Sequence, residues 1–209
     1  ATGTTVLFLC FNHKVFMQFG ITFLEKSITK DDEMPLKPVD IATIAIFSAM
    51  WAILNITVGP LGFTLFHLPI FCDFSVYFTL LLAAWVSGRA GIPSMVGIIG
   101  AIIVLAMRPA STQMIGFLAS AIVFDALMIL CKHEVSLKPY NMFVATMATI
   151  TSAYFAGVVI GTVFMGRSLD WALTFWGVWH LIGGVISLII ALPVIGALER
   201  AKVKGVKSA

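Results

Sequence analysis

The run at 41–58, IATIAIFSAMWAILNITV, is an unbroken apolar stretch of membrane length. An α-helix rises about 1.5 Å per residue and needs roughly 20 apolar residues to cross about 30 Å of hydrocarbon. A chain with such a run must either bury it wholly in protein or place it in lipid. The remaining residues decide between the two. Hydrophobic residues make up 60% of the 209 and charged residues 11%, whereas a soluble domain carries about a quarter charged residues. So little polar surface cannot cover so much apolar core, and lipid is the expected solvent.

Six spans follow from the punctuation: 41–58, 70–88, 91–107, 113–131, 142–165 and 171–198. Gly59-Pro60 and Leu68-Pro69 close off the first, Gly88-Arg89-Ala90-Gly91 the second, and Arg108-Pro109 the third. Lys138-Pro139 precedes the fifth and Gly166-Arg167 follows it; glycine and proline interrupt helices by backbone freedom and by a missing donor. The segment 59–69 is expected to be a Gly/Pro-rich, aromatic loop. The fold class is therefore an all-α polytopic membrane protein with six transmembrane helices over 41–198 and a basic tail at 199–209.

Residues 1–40 do not match this pattern. Asn12-His13-Lys14 interrupts an apolar stretch, and a lysine at the bilayer centre costs about 3 kcal/mol. An interfacial helix suits it better than a span, and EKSITKDDEMPLKPVD reads as a linker. The chain opens on Ala1, while Met34 directly precedes a natural starting sequence, so residues 1–33 are expected to be a dispensable upstream extension.

Lys and Arg placement sets orientation. With six spans, one side receives Lys37, Arg89, Lys132, Lys138, Arg200, Lys202, Lys204 and Lys207, and the other only Arg108 and Arg167. Both termini are expected in the cytoplasm (N-in/C-in), with the chain multi-pass in the cell membrane.

Ala45 and Ala49, four residues apart, form a small-xxx-small face on the first span. Such faces associate through close backbone approach, because lipid is as apolar as leucine. The face serves either packing within the chain or docking of another membrane protein. Asp73 and Asp125 are the carboxylates inside the spans, where ionisable groups are functional candidates by default. Asp73 lies near a span end open to ligand, whereas Asp125 is placed to bond another helix. His67 lies in the 59–69 segment, and His180 lies deep in WALTFWGVWHLIGG beside Trp176 and Trp179. These aromatics are candidates to wall a pocket for a flat heterocycle, while Trp171 fits an interfacial anchor. Asn55, Gln113, Arg108 and Arg167 sit near the same mouth. Ligand-binding candidates are therefore Asn55, His67, Asp73, Gln113, Trp176, Trp179 and His180.

No HExxH, GxSxG or Walker A motif is present, and Cys10, Cys72 and Cys131 show no CxxC spacing, so neither an enzyme, a metal centre nor a bound cofactor is expected. Nothing in the pattern points to nucleic acid.

AIFSAMWAIL, with Ala45 and Ala49, resembles the AxxxA docking motif of the substrate-binding (S) components of energy-coupling factor (ECF) transporters. The layout GPLG…FHLP…FCDFSVYFTLLLAAW…GIPSMVGIIGAI…GFLASAIVFDALM is similar to the thiamine/hydroxymethylpyrimidine branch of that family. The resemblance covers 41–198. It implies a subunit that captures a vitamin and docks on a transmembrane coupling subunit carrying two ATPase subunits, which hydrolyse the ATP. Two other readings stand beside it: an accessory subunit of a membrane complex, and a small secondary transporter using Asp73 and Asp125 with a coupling ion.

Overall fold

A computed structural model describes residues 36–201. The expectations for the 1–33 extension and most of the basic tail lie outside the described residues. Within them the chain is helical throughout, without strands.

Helix α1 spans Pro38–Thr57, with Pro38 in the first turn and the Lys37 N–H donating to Asp40 Oδ2 at 2.9 Å. This carboxylate satisfies a donor that a helix start would otherwise leave bare. After Val58 alone, α2 runs Gly59–Phe66. The segment expected as a loop is thus helical. Pro60 falls in its first turn, where a missing N–H costs nothing, and the true turn lies at 67–69. His67 ends α2 in the left-handed region, φ 56°.

Helix α3 covers Ile70–Ser87, α4 Ile92–Met107 and α5 Met114–Met128, the last closed by a 3-10 turn at Ile129–Cys131. Helix α6 spans Pro139–Val159 and opens into a π-helical turn at Ile160–Phe164. The short α7, Leu169–Trp171, runs through a second π turn at Ala172–Trp176 into α8, Gly177–Arg200.

Five helical segments are long and apolar enough to cross a membrane: Pro38–Phe66, Ile70–Ser87, Met114–Cys131, Pro139–Phe164 and Leu169–Arg200. The third expected span is the apolar but shorter Ile92–Met107, of 16 residues. An all-helical chain with five such helices has the architecture of a multi-pass membrane protein.

The helices form a closed circuit in which α1 packs on α4, α4 on α5, α5 on α6, α6 on α8, α8 on α3, and α3 back on α1. Helix α3 also meets α2, α4 and α6, and Val76, Tyr77, Leu80, Leu81, Ala83 and Ala84 on it are fully buried. Small residues permit this closeness. A Cβ on Gly100 would lie 2.2 Å from Trp51 Cε3, and one on Gly97 would lie 2.4 Å from Ala121 Cβ. The α4 glycines thus form the slot that receives the buried Trp51 of α1. The outside is apolar, with Ile46, Ile53, Ile102, Ile122, Phe143 and Ile189 exposed, as a lipid-facing surface requires.

Ala45 and Ala49 are exposed on α1, while Ser48 between them is buried, its Oγ donating to Val96 O of α4 at 3.3 Å. The inward face of α1 therefore carries Ile44, Ser48, Trp51 and Asn55. The alanine pair does not serve packing among the described residues.

Candidate functional site

Helices α3 and α8 bring the first turn of one against the second turn of the other. Gly183 makes this contact possible, because a Cβ there would lie 2.7 Å from Asp73 Cβ and 2.8 Å from Ile70 O. The Gly157–Gly177 crossing of α6 on α8 is equally tight, with a Cβ on Gly157 falling 2.8 Å from His180 Cδ2. Backbone approach from two directions thus drives Asp73 and His180 into the same spot. His180 Nδ1 donates to Asp73 Oδ1 at 3.0 Å, and the pair is almost wholly buried, at 1% and 0% exposure. Nδ1 is also 2.9 Å from Oδ2, but that contact lacks hydrogen-bond alignment, so Oδ2 has no hydrogen-bond partner.

Two aromatic rings flank the imidazole, and a third stacks behind one of them. Phe117 of α5 and Trp176 both have ring centres 5.6 Å from it, Trp176 edge-on. Trp171 stacks on Trp176 at 5.4 Å, and the Arg167 guanidinium lies over Trp171 at 5.6 Å. Beyond Asp73 Oδ2, His180 Nε2 and Trp176 Nε1 are buried and without a hydrogen-bond partner. A buried polar atom left so costs about 1–3 kcal/mol, and each of these three is open to a polar partner. With Nδ1–H committed to Asp73, the centre offers two acceptors, Oδ2 and Nε2, and one donor, the indole N–H.

Asn55 approaches from α1. Its Nδ2 donates to Trp51 O at 3.1 Å, while Oδ1 is buried without a partner. The Gly59 Cβ position is 3.1 Å from Cys72 Sγ and 3.9 Å from Asn55 Oδ1, so both side chains face Gly59. On α3, one turn further along, Tyr77 OH donates to Ser120 Oγ of α5 at 2.9 Å, and Ser120 donates to Phe117 O at 2.8 Å.

Of the residues singled out from the sequence, Asp73, His180 and Trp176 meet at one point, and Asn55 is buried on α1. His67 is exposed at the turn after α2. Trp179 is half-buried and packs edge-on to Phe175 at 6.4 Å. Gln113 is half-buried just before α5, one turn ahead of Phe117. Phe117 was missed because an apolar phenylalanine within a span carries no signal. Trp171, expected as an anchor, is part of the aromatic stack.

Asp125 has another role. Its Oδ2 accepts from Gly91 N at 2.9 Å, Ser94 N at 3.3 Å and Ser94 Oγ at 2.6 Å, and its Oδ1 pairs with His133 Nε2 at 2.7 Å. It caps the start of α4 from α5. The neighbouring Arg89 pairs with Asp40 of α1, so two buried carboxylates hold the α3–α4 turn. Both oxygens of Asp125 are thereby occupied. Among the described residues no group of three or more His, Cys, Asp or Glu is placed to hold a metal ion. Comparison with protein-family models, with curated proteins and with solved structures finds no match.

Proposed function

We propose that the chain is the substrate-binding subunit of an ECF-type, ATP-driven vitamin importer, with a thiamine-like vitamin or precursor as its first candidate ligand. The observation that carries this reading is the separation of two features along α1. Exposed Ala45 and Ala49 stand in its first half, while Asn55, ten residues beyond Ala45 and about 15 Å along the axis, is buried, its Oδ1 and the Sγ of Cys72, the residue before Asp73, lying 3.9 and 3.1 Å from the Gly59 Cβ position. A subunit that captures solute at one end and is gripped at the other needs this arrangement.

In this reading six helices cross the cell membrane, with α4 the shortest, and the Lys/Arg-rich end faces the cytoplasm. Ala45 and Ala49 then lie in the cytoplasmic half of the bilayer, where a transmembrane coupling subunit with two ATPases docks. The Asp73–His180–Trp176 centre lies toward the outside. The ligand presents N–H donors to Asp73 Oδ2 and His180 Nε2, an acceptor to Trp176 Nε1, and a flat ring to the indole. ATP is bound and hydrolysed by the partners.

The test is mass spectrometry of any small molecule that copurifies, followed by titration of thiamine and hydroxymethylpyrimidine against tryptophan fluorescence. Saturable quenching that is lost in D73N supports the reading. A preparation free of ligand that binds neither compound favours an accessory subunit of a membrane complex.

A further inference from the structure

The charge of the Asp73–His180 pair does not balance by itself. His180 Nδ1 donates to Asp73 Oδ1, so an ionised Asp73 beside a neutral imidazole leaves one uncompensated negative charge. Both side chains are all but sealed from solvent. A bare charge in so dry a place is expensive, and such a group takes up a proton or finds a counter-charge instead.

The elements around the pair bring no counter-charge. Among the described residues, His180 is the one ionisable partner within ion-pair reach of Asp73. On α3 its neighbours are the Cys72 thiol and Tyr77, whose hydroxyl is spent on Ser120. Helix α5 presents Phe117, α6 presents Gly157, and α8 presents Trp176 and Gly183. The side chain that α1 turns toward Gly59 is the uncharged Asn55. The Arg167 guanidinium lies over Trp171, so two stacked indoles stand between it and the imidazole. His67, Arg108, Arg167 and Asp170 are exposed. The Asp40–Arg89 and Asp125–His133 pairs hold the opposite end of α3, roughly 20 Å along its axis from Asp73.

The same two atoms can receive either a proton or a guest. Asp73 Oδ2 and His180 Nε2 are buried without a hydrogen-bond partner, and both are basic positions. A proton on either one neutralises the pair. A cation held against them does so equally, whereas both together would bury a net positive charge. We propose that capture at this centre is a cation-for-proton exchange: the empty centre holds one extra proton, and a guest with one positive charge displaces it into bulk water. The exchange deepens the functional reading above and rests on it. Charge is conserved, since a neutral pair and a cation become ionised Asp73, neutral His180 and a bound cation, with one proton set free. A neutral guest leaves the proton in place. Because the proton is a product, a cation binds more tightly as pH rises.

The experiment uses the full chain in lipid nanodiscs and has two arms. The first needs no vitamin. In the ligand-free protein near neutral pH, nitrogen NMR of labelled histidine and infrared spectroscopy of labelled aspartate read where protons reside. The His180 signals are assigned by eliminating the others with H13Q, H67Q and H133Q. An imidazolium at His180, or a carboxylic-acid band that D73N removes, is the expected result. A neutral His180 with no carboxylic-acid band overturns the exchange. The second arm is calorimetry of thiamine, whose positive charge is permanent, in phosphate and in Tris, two buffers of unlike ionisation enthalpy. About one proton is expected to be released per thiamine, with affinity rising by up to roughly tenfold per pH unit between about pH 6 and pH 8. Neutral hydroxymethylpyrimidine is expected to release none. Thiamine that binds without releasing a proton, or the same release with both compounds, overturns the exchange and leaves the vitamin reading standing. Thiamine that fails to bind a centre holding the extra proton removes the vitamin reading and leaves the charge balance of the empty centre supported.

Discussion

His180 and Asp73 lie 107 residues apart in sequence and 3.0 Å apart in space, joined by a hydrogen bond that neither exposes to solvent. The bond exists because Gly183 lets α8 ride against the start of α3. In a low-dielectric interior an unpaired charge is far more expensive than a paired one, so the two side chains depend on each other.

That dependence is measurable. H180A leaves a buried carboxylate without its partner and is expected to lower stability by roughly 3–5 kcal/mol. D73N/H180N, which removes the buried carboxylate together with its imidazole partner, is expected to lose less than H180A. Thermal unfolding of the purified protein in detergent, arranged as a double-mutant cycle, reads the difference. A double variant at least as unstable as H180A contradicts the pairing.

The Trp51 slot gives a steric prediction. A methyl at Gly100 would sit 2.2 Å from the indole, and overpacking of this kind costs about 1–3 kcal/mol. G100A should therefore melt well below the parent. In a W51L background the same G100A change should cost little, because the ring that it meets is gone. Equal losses in both backgrounds would show that the glycine matters for another reason.

Asp125 should behave as a structural cap. D125A strips the Gly91 and Ser94 donors and His133 of their acceptor, at a cost of about 1–3 kcal/mol, and D125N should fall between it and the parent. Hydrogen exchange should rise locally at 91–95. Exchange spread evenly over all helices would argue against a local cap.

The two faces of α1 should respond in opposite ways to the same bulk. A45W and A49W point outward and are expected to change stability by no more than about 0.5 kcal/mol. S48W, directed at Val96 between them, is expected to unfold the α1–α4 contact. If the alanines dock a coupling subunit, A45W/A49W cells lose vitamin uptake while the purified protein still binds thiamine. Preserved uptake would dissociate the face from transport.

Helix positions were largely legible in the sequence. The expected span at 70–88 corresponds to Ile70–Ser87, and 91–107 to Ile92–Met107, because Gly88 and Gly91 take positive φ where the chain turns. The 59–69 segment was misread for a local reason: Gly59-Pro60 marks a helix start as readily as a break, and only one residue separates α1 from α2. Asp73, His180 and Trp176 were identifiable one at a time as polar or aromatic groups at membrane depth. Their meeting was not, since it depends on glycine contacts between α3, α6 and α8. The cap formed by Asp125 was hidden similarly, because its donors lie more than 30 residues away. His133 gave no signal beyond its place after a span, and π turns leave no mark in hydrophobic periodicity.

If α4 crosses the bilayer, as in the six-span reading proposed above, its length has a consequence for the lipid around it. Sixteen residues reach about 24 Å, several Å short of a typical hydrocarbon core. The neighbouring apolar segments Pro38–Phe66 and Met114–Cys131 are longer, so the shortfall is confined to one sector, where Ile102 and Met107 face outward. Acyl chains there must compress or tilt, at a cost of fractions of a kcal/mol per Å of mismatch. The protein would thus carry a lopsided dimple in its own bilayer, making thin membranes the more comfortable host and giving the bundle a preferred direction in which to lean.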